Sequence, residues 1–231
     1  MKDAPPPAPP ARKQRVYLVE DHPVTREGLA FLLNQEADLA VCGKAATVRE
    51  AVRGIAAAEP HLVIVDIALP GRDGLELVKD LAKLQPRLPA LVLSTLDEAI
   101  YAERALRAGA KGYVMKEEPV ETILIAVRQV LGGEVYLSDR IRISLFQKSL
   151  ARPALAPENS TGVDHLSDRE LEVFRLIGRG VGTRQIARDL GVSISTVETH
   201  RTNIKHKLGV GTAPDLVRRA VAWLHEQQFK P

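Results

Sequence analysis

Three acidic residues that end two apolar runs offer the first recognisable chemistry of this chain. Glu20 and Asp21 follow the run VYLV, and Asp66 follows the run HLVIV further along the sequence. Carboxylates held close together repel one another, and Mg²⁺ relieves that repulsion because it takes carboxylate, water and phosphate oxygens as ligands. The three residues therefore predict a Mg²⁺ site that accepts a phosphoryl group. The alternative is that each is a solvated acid just past the end of a strand.

Two further polar residues end apolar runs, Ser94 in ALVLS and Lys116 in GYVMK. Asp66 is the candidate nucleophile, able to form an acyl phosphate, while Glu20 and Asp21 would hold the Mg²⁺ that offsets the phosphoryl charge. Lys116 would pair with one phosphoryl oxygen, and the Ser94 hydroxyl would donate to another. Taken singly, Lys116 fits a surface lysine and Ser94 fits a strand-end cap. Only their joint placement favours a site.

The apolar runs that carry these residues alternate with stretches of helical period. This βα repetition is typical of an α/β doubly wound fold, a five-stranded parallel sheet with helices on both faces. The predicted strands lie near 15–20, 39–43, 61–66, 89–94 and 112–115, and the predicted helices near 24–35, 47–58, 73–84, 97–108 and 119–131. Ligands of such sheets bind beyond the carboxyl ends of the strands, where all five polar residues would lie.

The last part of the chain has a different period. Apolar residues spaced by three and four recur in LSDRELEVFRLIGRG, TRQIARDLG, SISTVETHRTNIKHKLG and APDLVRRAVAWLHEQQF, separated by short glycine-containing breaks. These segments predict four helices in a small all-α domain. The two central segments have the helix, short turn and helix of a helix-turn-helix.

The second helix of that motif would present its polar side chains to DNA. Thr, Glu and Arg can pair with base edges in the major groove, whereas Lys and Arg contact phosphates. The candidate DNA-binding residues on this helix are Thr196, Glu198, Thr199, Arg201, Thr202 and Lys205. An ordinary amphipathic helix with a solvated charged face would explain the same pattern.

Charge divides the chain in the same way. Residues 14–137 hold 14 basic and 18 acidic residues, whereas residues 164–231 hold 11 basic and 8 acidic ones. An acidic segment suits metal binding, and a basic one suits a polyanion. We predict a disordered proline-rich tail over 1–13, an α/β domain over 14–137, a linker with a short helix over 138–163, and a DNA-binding domain over 164–231.

The composition indicates a cytoplasmic protein that does not enter a membrane. No apolar stretch approaches the roughly 20 residues that span a bilayer. The start MKDAPPPAPPARKQR lacks the apolar region of a signal peptide. The single cysteine, Cys42, excludes an intramolecular disulfide framework and fits a reducing compartment.

With these motifs, residues 15–131 resemble a response-regulator receiver domain, which has a flavodoxin-like fold. The acidic pair, the acceptor aspartate, the hydroxyl and the lysine all stand at the positions of that family's motif. The resemblance implies phosphoryl transfer from the phosphohistidine of a sensor histidine kinase. It also implies that Tyr113 swings inward when Ser94 engages the phosphoryl group; a half-exposed strand aromatic is the alternative for Tyr113. Glu117 stands where many receivers have proline, so no cis peptide bond is expected there.

The segments LSDRELEV and IARDLGVSISTVETHRTNIKHKLG resemble the LuxR-type DNA-binding domain, and the chain as a whole resembles the NarL/FixJ class of response regulators. This resemblance implies that Glu170 braces the helix-turn-helix. It also implies that Arg184, Lys205 and Lys207 are DNA-binding residues that contact phosphates. It also implies that the last helix makes a two-fold contact suited to inverted half-sites, with internal packing as the alternative. The candidate dimerisation residues are Leu216, Val217, Ala220, Val221 and Leu224. The implied partners are a sensor histidine kinase, double-stranded promoter DNA, a second copy of the chain and RNA polymerase.

The leading hypothesis is a two-component response regulator in which phosphorylation of Asp66 controls sequence-specific DNA binding and transcription. A constitutive DNA-binding regulator, controlled by expression or dimerisation, is the alternative. An enzyme is disfavoured because phosphatases of the haloacid dehalogenase type need a second aspartate two residues after the nucleophile, where Ala68 stands. The sequence also has no GxxxxGK[ST] loop for nucleotide hydrolysis.

Overall fold

The computed structural model describes residues 13–69, 73–150 and 162–228, which form two compact units. The first unit consists mainly of residues up to Ile141, and the second consists mainly of residues from Arg142 onward. The predicted proline-rich tail, except for Lys13, and residues 151–161 of the predicted linker lie outside the described residues.

The first unit is a five-stranded parallel sheet flanked by five helices, as predicted. The strands are β1 (Gln14–Val19), β2 (Leu39–Ala45), β3 (Leu62–Val65), β4 (Ala90–Ser94) and β5 (Gly112–Met115). The helices are α1 (Pro23–Gln35), α2 (Val48–Ala58), α3 (Gly74–Leu84), α4 (Glu98–Ala108) and α5 (Val120–Leu131). The doubly wound, flavodoxin-like fold predicted from the sequence is therefore confirmed, with element bounds close to the predicted ones.

The strand order β2-β1-β3-β4-β5 determines where a site can form. The chain moves outward from β1 to β2 and then returns to the other side of β1, so the order reverses between β1 and β3. The carboxyl ends of these two neighbouring strands form the switch-point crevice in which doubly wound sheets bind ligands. Glu20 directly follows β1 and Asp66 directly follows β3, so both lie at this crevice.

Burial on both faces explains why the central strands are continuous apolar runs. Every residue of β3 and β4 is buried. On one face, β1 contributes Val16 and Leu18 to a core that also contains Leu33 of α1 and Val127 of α5. The ends of the strands are therefore held rigidly, and the side chains that follow them are positioned by the sheet itself.

The second unit is helical. Its elements are the part of α6 (Asp139–Leu150) from Arg142 onward, a 3-10 turn (Gly162–His165), α7 (Asp168–Gly178), α8 (Thr183–Asp189), α9 (Ile194–Leu208) and α10 (Ala213–Gln228). A capping box between Ser167 and Glu170 begins α7, and Gly209 ends α9 in the left-handed conformation with φ 64°. Among the described residues, no helix is long and apolar enough to cross a membrane.

Helices α7 and α10 of the second unit pack closely. The rings of Phe174 and Trp223 lie 5.6 Å apart between centroids. A Cβ added at Gly178 would lie 2.7 Å from the carbonyl oxygen of Ala220, so only glycine permits this approach. The contact buries Trp223, the single tryptophan of the chain, within this unit.

On the other face of β1, Tyr17 occupies the space left by two glycines. A Cβ added at Gly43 would lie 2.7 Å from the ring carbon Cδ2, and one added at Gly54 of α2 would overlap the hydroxyl oxygen. The Tyr17 hydroxyl donates to the carbonyl of Lys44 at 3.3 Å. The buried ring thus fixes the distance between α2 and the strand that leads to the acidic pair.

Gly54→Ala is expected to destabilise the first unit by about 1–3 kcal/mol, because the new methyl group overfills the space taken by Tyr17. Alanine normally stabilises a helix relative to glycine by about 0.5–1 kcal/mol, so the sign is reversed here. The matched control is Gly28→Ala in α1, where an added Cβ meets no atom within 4 Å. Thermal unfolding followed by circular dichroism measures both. An increase in stability for Gly54→Ala would contradict the packing argument.

Candidate functional site

The three predicted metal-binding carboxylates meet at one point beyond the sheet. One oxygen from each of Glu20, Asp21 and Asp66 lies within 4.8 Å of the other two. Glu20 and Asp66 are buried, and Asp21 is half-buried. Burial raises the pKa of Glu20 above its ordinary value, and the nearby Asp66 adds to this, although hydrogen bonds from Lys116 and His22 oppose it. Three carboxylates held this close together suit a cation with oxygen ligands.

Lys116 supplies one positive charge to this cluster. Its Nζ lies 2.7 Å from Oδ2 of Asp66 and 2.5 Å from Oε2 of Glu20. Burial lowers the pKa of Lys116, but attraction and hydrogen bonding from the two carboxylates outweigh it, so the pKa lies above its ordinary value. Lys116 therefore remains an ammonium at neutral pH. One cation against three carboxylates leaves an excess of negative charge.

Backbone contacts fix the orientation of Asp66. Its N–H donates to the carbonyl of Val19 at 2.8 Å, which extends the pairing between β1 and β3. The N–H of Ala68 donates to Oδ1 of Asp66 at 2.9 Å, while Lys116 holds Oδ2. Both carboxylate oxygens are thus held in defined directions before any ligand binds, which is the preorganisation that a nucleophile needs.

Ser94 and Tyr113 lie near each other on the neighbouring strands. Ser94 is fully buried, and its Oγ accepts a hydrogen bond from the N–H of Leu96 at 3.3 Å. The Tyr113 hydroxyl donates to the carbonyl of Leu96 at 2.6 Å. Only 1% of Tyr113 is exposed, so its ring lies inward and is not a half-exposed surface aromatic. Burial also raises the pKa of Tyr113, so its hydroxyl stays a donor.

Arg26 is a residue at this site that the sequence analysis did not identify. Its guanidinium Nη1 donates to the carbonyl of Glu20 at 2.8 Å and to that of Asp21 at 3.2 Å. The sequence feature that could have identified Arg26 is its position in the first turn of α1, because a long side chain there can reach back to the preceding loop. The contacts themselves involve backbone oxygens, which apolar spacing does not reveal.

The candidate DNA-binding residues lie in the helix-turn-helix of the second unit. Helices α8 and α9 pack through buried Ile186, Ala187, Val197 and Ile204. Five of the predicted DNA-binding residues are exposed: Arg184, Glu198, Thr199, Thr202 and Lys207. The other three are half-buried: Thr196, Arg201 and Lys205. The polar side of α9 is thus open along its length, as a helix that enters a major groove requires.

Glu170 links α7 to the end of α9. Its Oε2 accepts from Nζ of Lys207 at 2.6 Å and from the N–H of Ser167 at 2.8 Å. Burial raises the pKa of Glu170, but the bonds from Lys207 and Ser167 outweigh it, so the pKa lies below its ordinary value. Lys207, predicted as a phosphate contact, is therefore also the partner of a buried carboxylate.

The predicted dimerisation residues divide between two faces of α10. Leu216 and Ala220 are fully buried inside the domain, and Leu224 is half-buried. Val217 and Val221 remain 39% and 49% exposed. Internal packing therefore accounts for Leu216 and Ala220, and among the five predicted residues only the two valines present an exposed apolar surface to a second chain.

Comparison with known proteins matches both halves of the chain. Residues 16–128 match the response regulator receiver domain, and residues 164–220 match the bacterial regulatory proteins of the luxR family. The oxygen regulatory protein NreC of Staphylococcus aureus is 35% identical over 209 residues, which cover 90% of this chain and 96% of that protein.

Two solved structures are also similar. A LuxR-family two-component response regulator from Aurantimonas sp. SI85-9A1 is 29% identical, with a TM-score of 0.56, over 60% of this chain and 99% of that one. RcsB from Salmonella enterica serovar Typhimurium, solved on the promoter P1flhDC with the phosphomimetic BeF3−, is 25% identical, with a TM-score of 0.54, over 90% and 97%.

Glu170→Gln is expected to lower the free energy of unfolding of the second unit by about 1–3 kcal/mol at neutral pH, because Lys207 loses a charged partner. Since the folded-state pKa of Glu170 lies below its ordinary 4.5, this stability is present above that pH and is lost as pH falls through the folded-state pKa. The difference between the two proteins should therefore shrink as the pH falls below 4.5 and through the folded-state pKa.

Urea unfolding followed by Trp223 fluorescence measures this difference, because the tryptophan reports on the second unit. Glu226→Gln, an exposed carboxylate of α10, is the matched control and should unfold like the wild type. A pH-independent difference for Glu170→Gln would show that the carboxylate charge is not the source of the stability.

Proposed function

Because the chain belongs to the response regulators that join a receiver domain to a LuxR-type DNA-binding domain, we propose that Asp66 is the residue whose phosphorylation controls its binding to promoter DNA. Phosphorylation-dependent regulation of transcription is the activity of this family, whose members take the phosphoryl group from histidine kinases. The observation that carries the proposal is the position of Asp66, which lies among two further carboxylates and the Lys116 ammonium.

The site residues divide the work of phosphoryl transfer. An oxygen of Asp66 forms a bond to phosphorus while the phosphorus–nitrogen bond of the donor phosphohistidine breaks. Mg²⁺, when held by Glu20, Asp21 and Asp66, would supply the positive charge that allows a carboxylate to approach a phosphoryl group. Lys116, which bonds Oδ2 of Asp66, would then pair with a phosphoryl oxygen.

Ser94 and Tyr113 are proposed to carry the signal away from Asp66. Ser94 Oγ and the Tyr113 hydroxyl contact the backbone of the same residue, Leu96. If the Ser94 hydroxyl turns to donate to a phosphoryl oxygen, the segment at Leu96 must adjust, and the Tyr113 ring adjusts with it. Phosphorylation would therefore change the conformation of the face formed by β4, α4 and β5.

The second unit is proposed to read DNA through α9. Arg184 and Lys205 would contact phosphates, and Lys207 would do so when it is not paired with Glu170. Glu198 and Thr199, which are exposed on α9, would face base edges. RcsB, which is similar to this chain over 90% of its length, was solved on promoter DNA in the presence of a phosphomimetic. A second copy of the chain, double-stranded promoter DNA, a sensor histidine kinase and RNA polymerase are the proposed partners, in the cytoplasm. The protein would act as a switch and not as an enzyme.

Phosphorylation of Asp66 is expected to strengthen DNA binding. Gel-shift titration against fragments of the protein's own upstream region, with and without acetyl phosphate or beryllofluoride plus Mg²⁺, measures the effect. We expect at least about a tenfold lower protein concentration at half-saturation, equivalent to about 1.4 kcal/mol.

Asp66→Ala should remove the response to both reagents, while leaving the unstimulated binding unchanged. The matched control is Asp38→Ala in the same unit. Asp38 directly precedes β2, so it lies at the amino ends of the strands, whereas the acidic cluster lies at their carboxyl ends. Its side chain is 50% exposed, and the variant should respond to both reagents like the wild type. Binding that ignores both the reagents and Asp66→Ala would establish the constitutive alternative.

A second copy of the chain is expected to pair through Val217 and Val221. The double variant Val217→Ser and Val221→Ser should lower the Hill coefficient of DNA binding toward about 1, because it removes the exposed apolar surface of α10 without adding charge near DNA. Val52→Ser, an exposed helical valine of the first unit, is the matched control. Unchanged cooperativity in the double variant would exclude this surface as the dimer contact.

A further inference from the structure

We infer that Arg26 is a positioning residue that fixes the backbone of Glu20 and Asp21 and thereby sets the affinity of the acidic cluster for a divalent cation. The inference rests on the proposed function of that cluster. It concerns the loop between β1 and α1, whose two acidic residues must point toward Asp66 although they lie beyond the end of the strand.

The loop that holds the acidic pair is anchored at both of its ends. The N–H of Glu20 donates to the carbonyl of Ala45 at 3.0 Å, which continues the pairing of β1 with β2. At the other side, α1 begins with Pro23, which has no N–H, and the His22 side chain accepts no capping bond from a backbone N–H. Its Nδ1 lies 3.1 Å from Oγ1 of Thr25 in the first turn of α1, which ties His22 to the helix. The N–H of His22 donates instead to Oε1 of Glu20 at 3.1 Å, which holds the Glu20 side chain. The conformation of Asp21, between these anchors, therefore depends on other contacts.

Arg26 supplies such a contact. A single nitrogen, Nη1, donates to the carbonyl of Glu20 at 2.8 Å and to the carbonyl of Asp21 at 3.2 Å. These two carbonyls belong to the peptide planes on either side of the Asp21 Cα. Fixing both planes fixes φ and ψ of Asp21, and with them the direction in which its Cα–Cβ bond leaves the chain.

The guanidinium is suited to this task because its planar fork holds donors in fixed directions, and its charge is permanent. A lysine ammonium carries the same charge but is a flexible point donor. Arg26 itself begins from a fixed base, since its N–H donates to the carbonyl of His22 at 3.0 Å in the first turn of α1. Arg26 thus links the first turn of α1 to the backbone of the acidic pair through hydrogen bonds at both of its ends.

Groups that orient metal ligands from outside the ligand set typically change metal affinity by about 10- to 100-fold when removed. We expect Arg26→Ala to raise the dissociation constant for Mn²⁺ about tenfold, as measured on the full-length protein by the electron paramagnetic resonance signal of free Mn²⁺. Arg26→Lys keeps the charge and a donor nitrogen but loses the planar guanidinium, and should recover part of the loss. Arg53→Ala, an exposed arginine of α2, is the matched control and should bind like the wild type.

Phosphorylation by acetyl phosphate supplies a second readout that separates positioning from general damage. The metal concentration giving the half-maximal rate should rise with Arg26→Ala, while the rate at saturating metal stays within about twofold of the wild type. A merely unstable variant would instead lose rate at every metal concentration, and circular dichroism would show the loss of folded protein.

Two results would overturn the inference. Equal Mn²⁺ dissociation constants for Arg26→Ala and Arg53→Ala would show that the loop is oriented without Arg26, and so would a fall in the saturating rate with an unchanged metal requirement. Wild-type protein that neither binds Mn²⁺ nor takes a phosphoryl group from acetyl phosphate would overturn the proposed function as well. If the wild-type protein binds Mn²⁺ and takes a phosphoryl group from acetyl phosphate, but Arg26→Ala behaves like Arg53→Ala, only the inference about Arg26 fails.

Discussion

The confinement of three carboxylates within 4.8 Å of one another is the constraint on which the first unit depends. Mutual repulsion would drive these side chains into solvent if the backbone left them free to move. A parallel sheet prevents this, because β1 and β3 are adjacent and acidic residues directly follow both strands. Lys116, which follows β5, neutralises part of the charge through Glu20 and Asp66. The remaining excess of negative charge leaves the cluster ready for a cation.

Charge is handled differently in the second unit. Glu170 is as buried as Asp66, but its charge is balanced within the unit by Lys207 and by the N–H of Ser167. These bonds outweigh burial and hold the pKa of Glu170 below its ordinary value. Glu20 also accepts bonds from Lys116 and from the N–H of His22, but burial and the nearby Asp66 outweigh them, so the pKa of Glu20 lies above its ordinary value. A single buried carboxylate paired with one lysine stabilises a fold, whereas three carboxylates that share one lysine indicate a site for a ligand.

The sequence predicted the sheet well because buried parallel strands are nearly continuous apolar runs, and polar residues at their ends stand out against them. It was less informative for α10, because adjacent apolar residues lie about 100° apart around a helix. Leu216 and Val217 are both apolar residues of that helix, but the first is buried and the second is partly exposed. The side chains of Arg26 and Tyr113 donate hydrogen bonds to backbone oxygens. Such bonds depend on the conformation of loops, which the spacing of residues in the sequence does not predict.

The packing of Tyr17 against Gly43 and Gly54 limits the order in which these three positions can change during evolution. A larger residue at either glycine collides with the ring, so neither glycine can be replaced first without cost. A smaller residue at Tyr17 opens a cavity, after which the glycines become replaceable. The three positions are therefore epistatic: the glycines accept larger residues only after Tyr17 has been replaced, and a tyrosine can return only after both glycines have been restored.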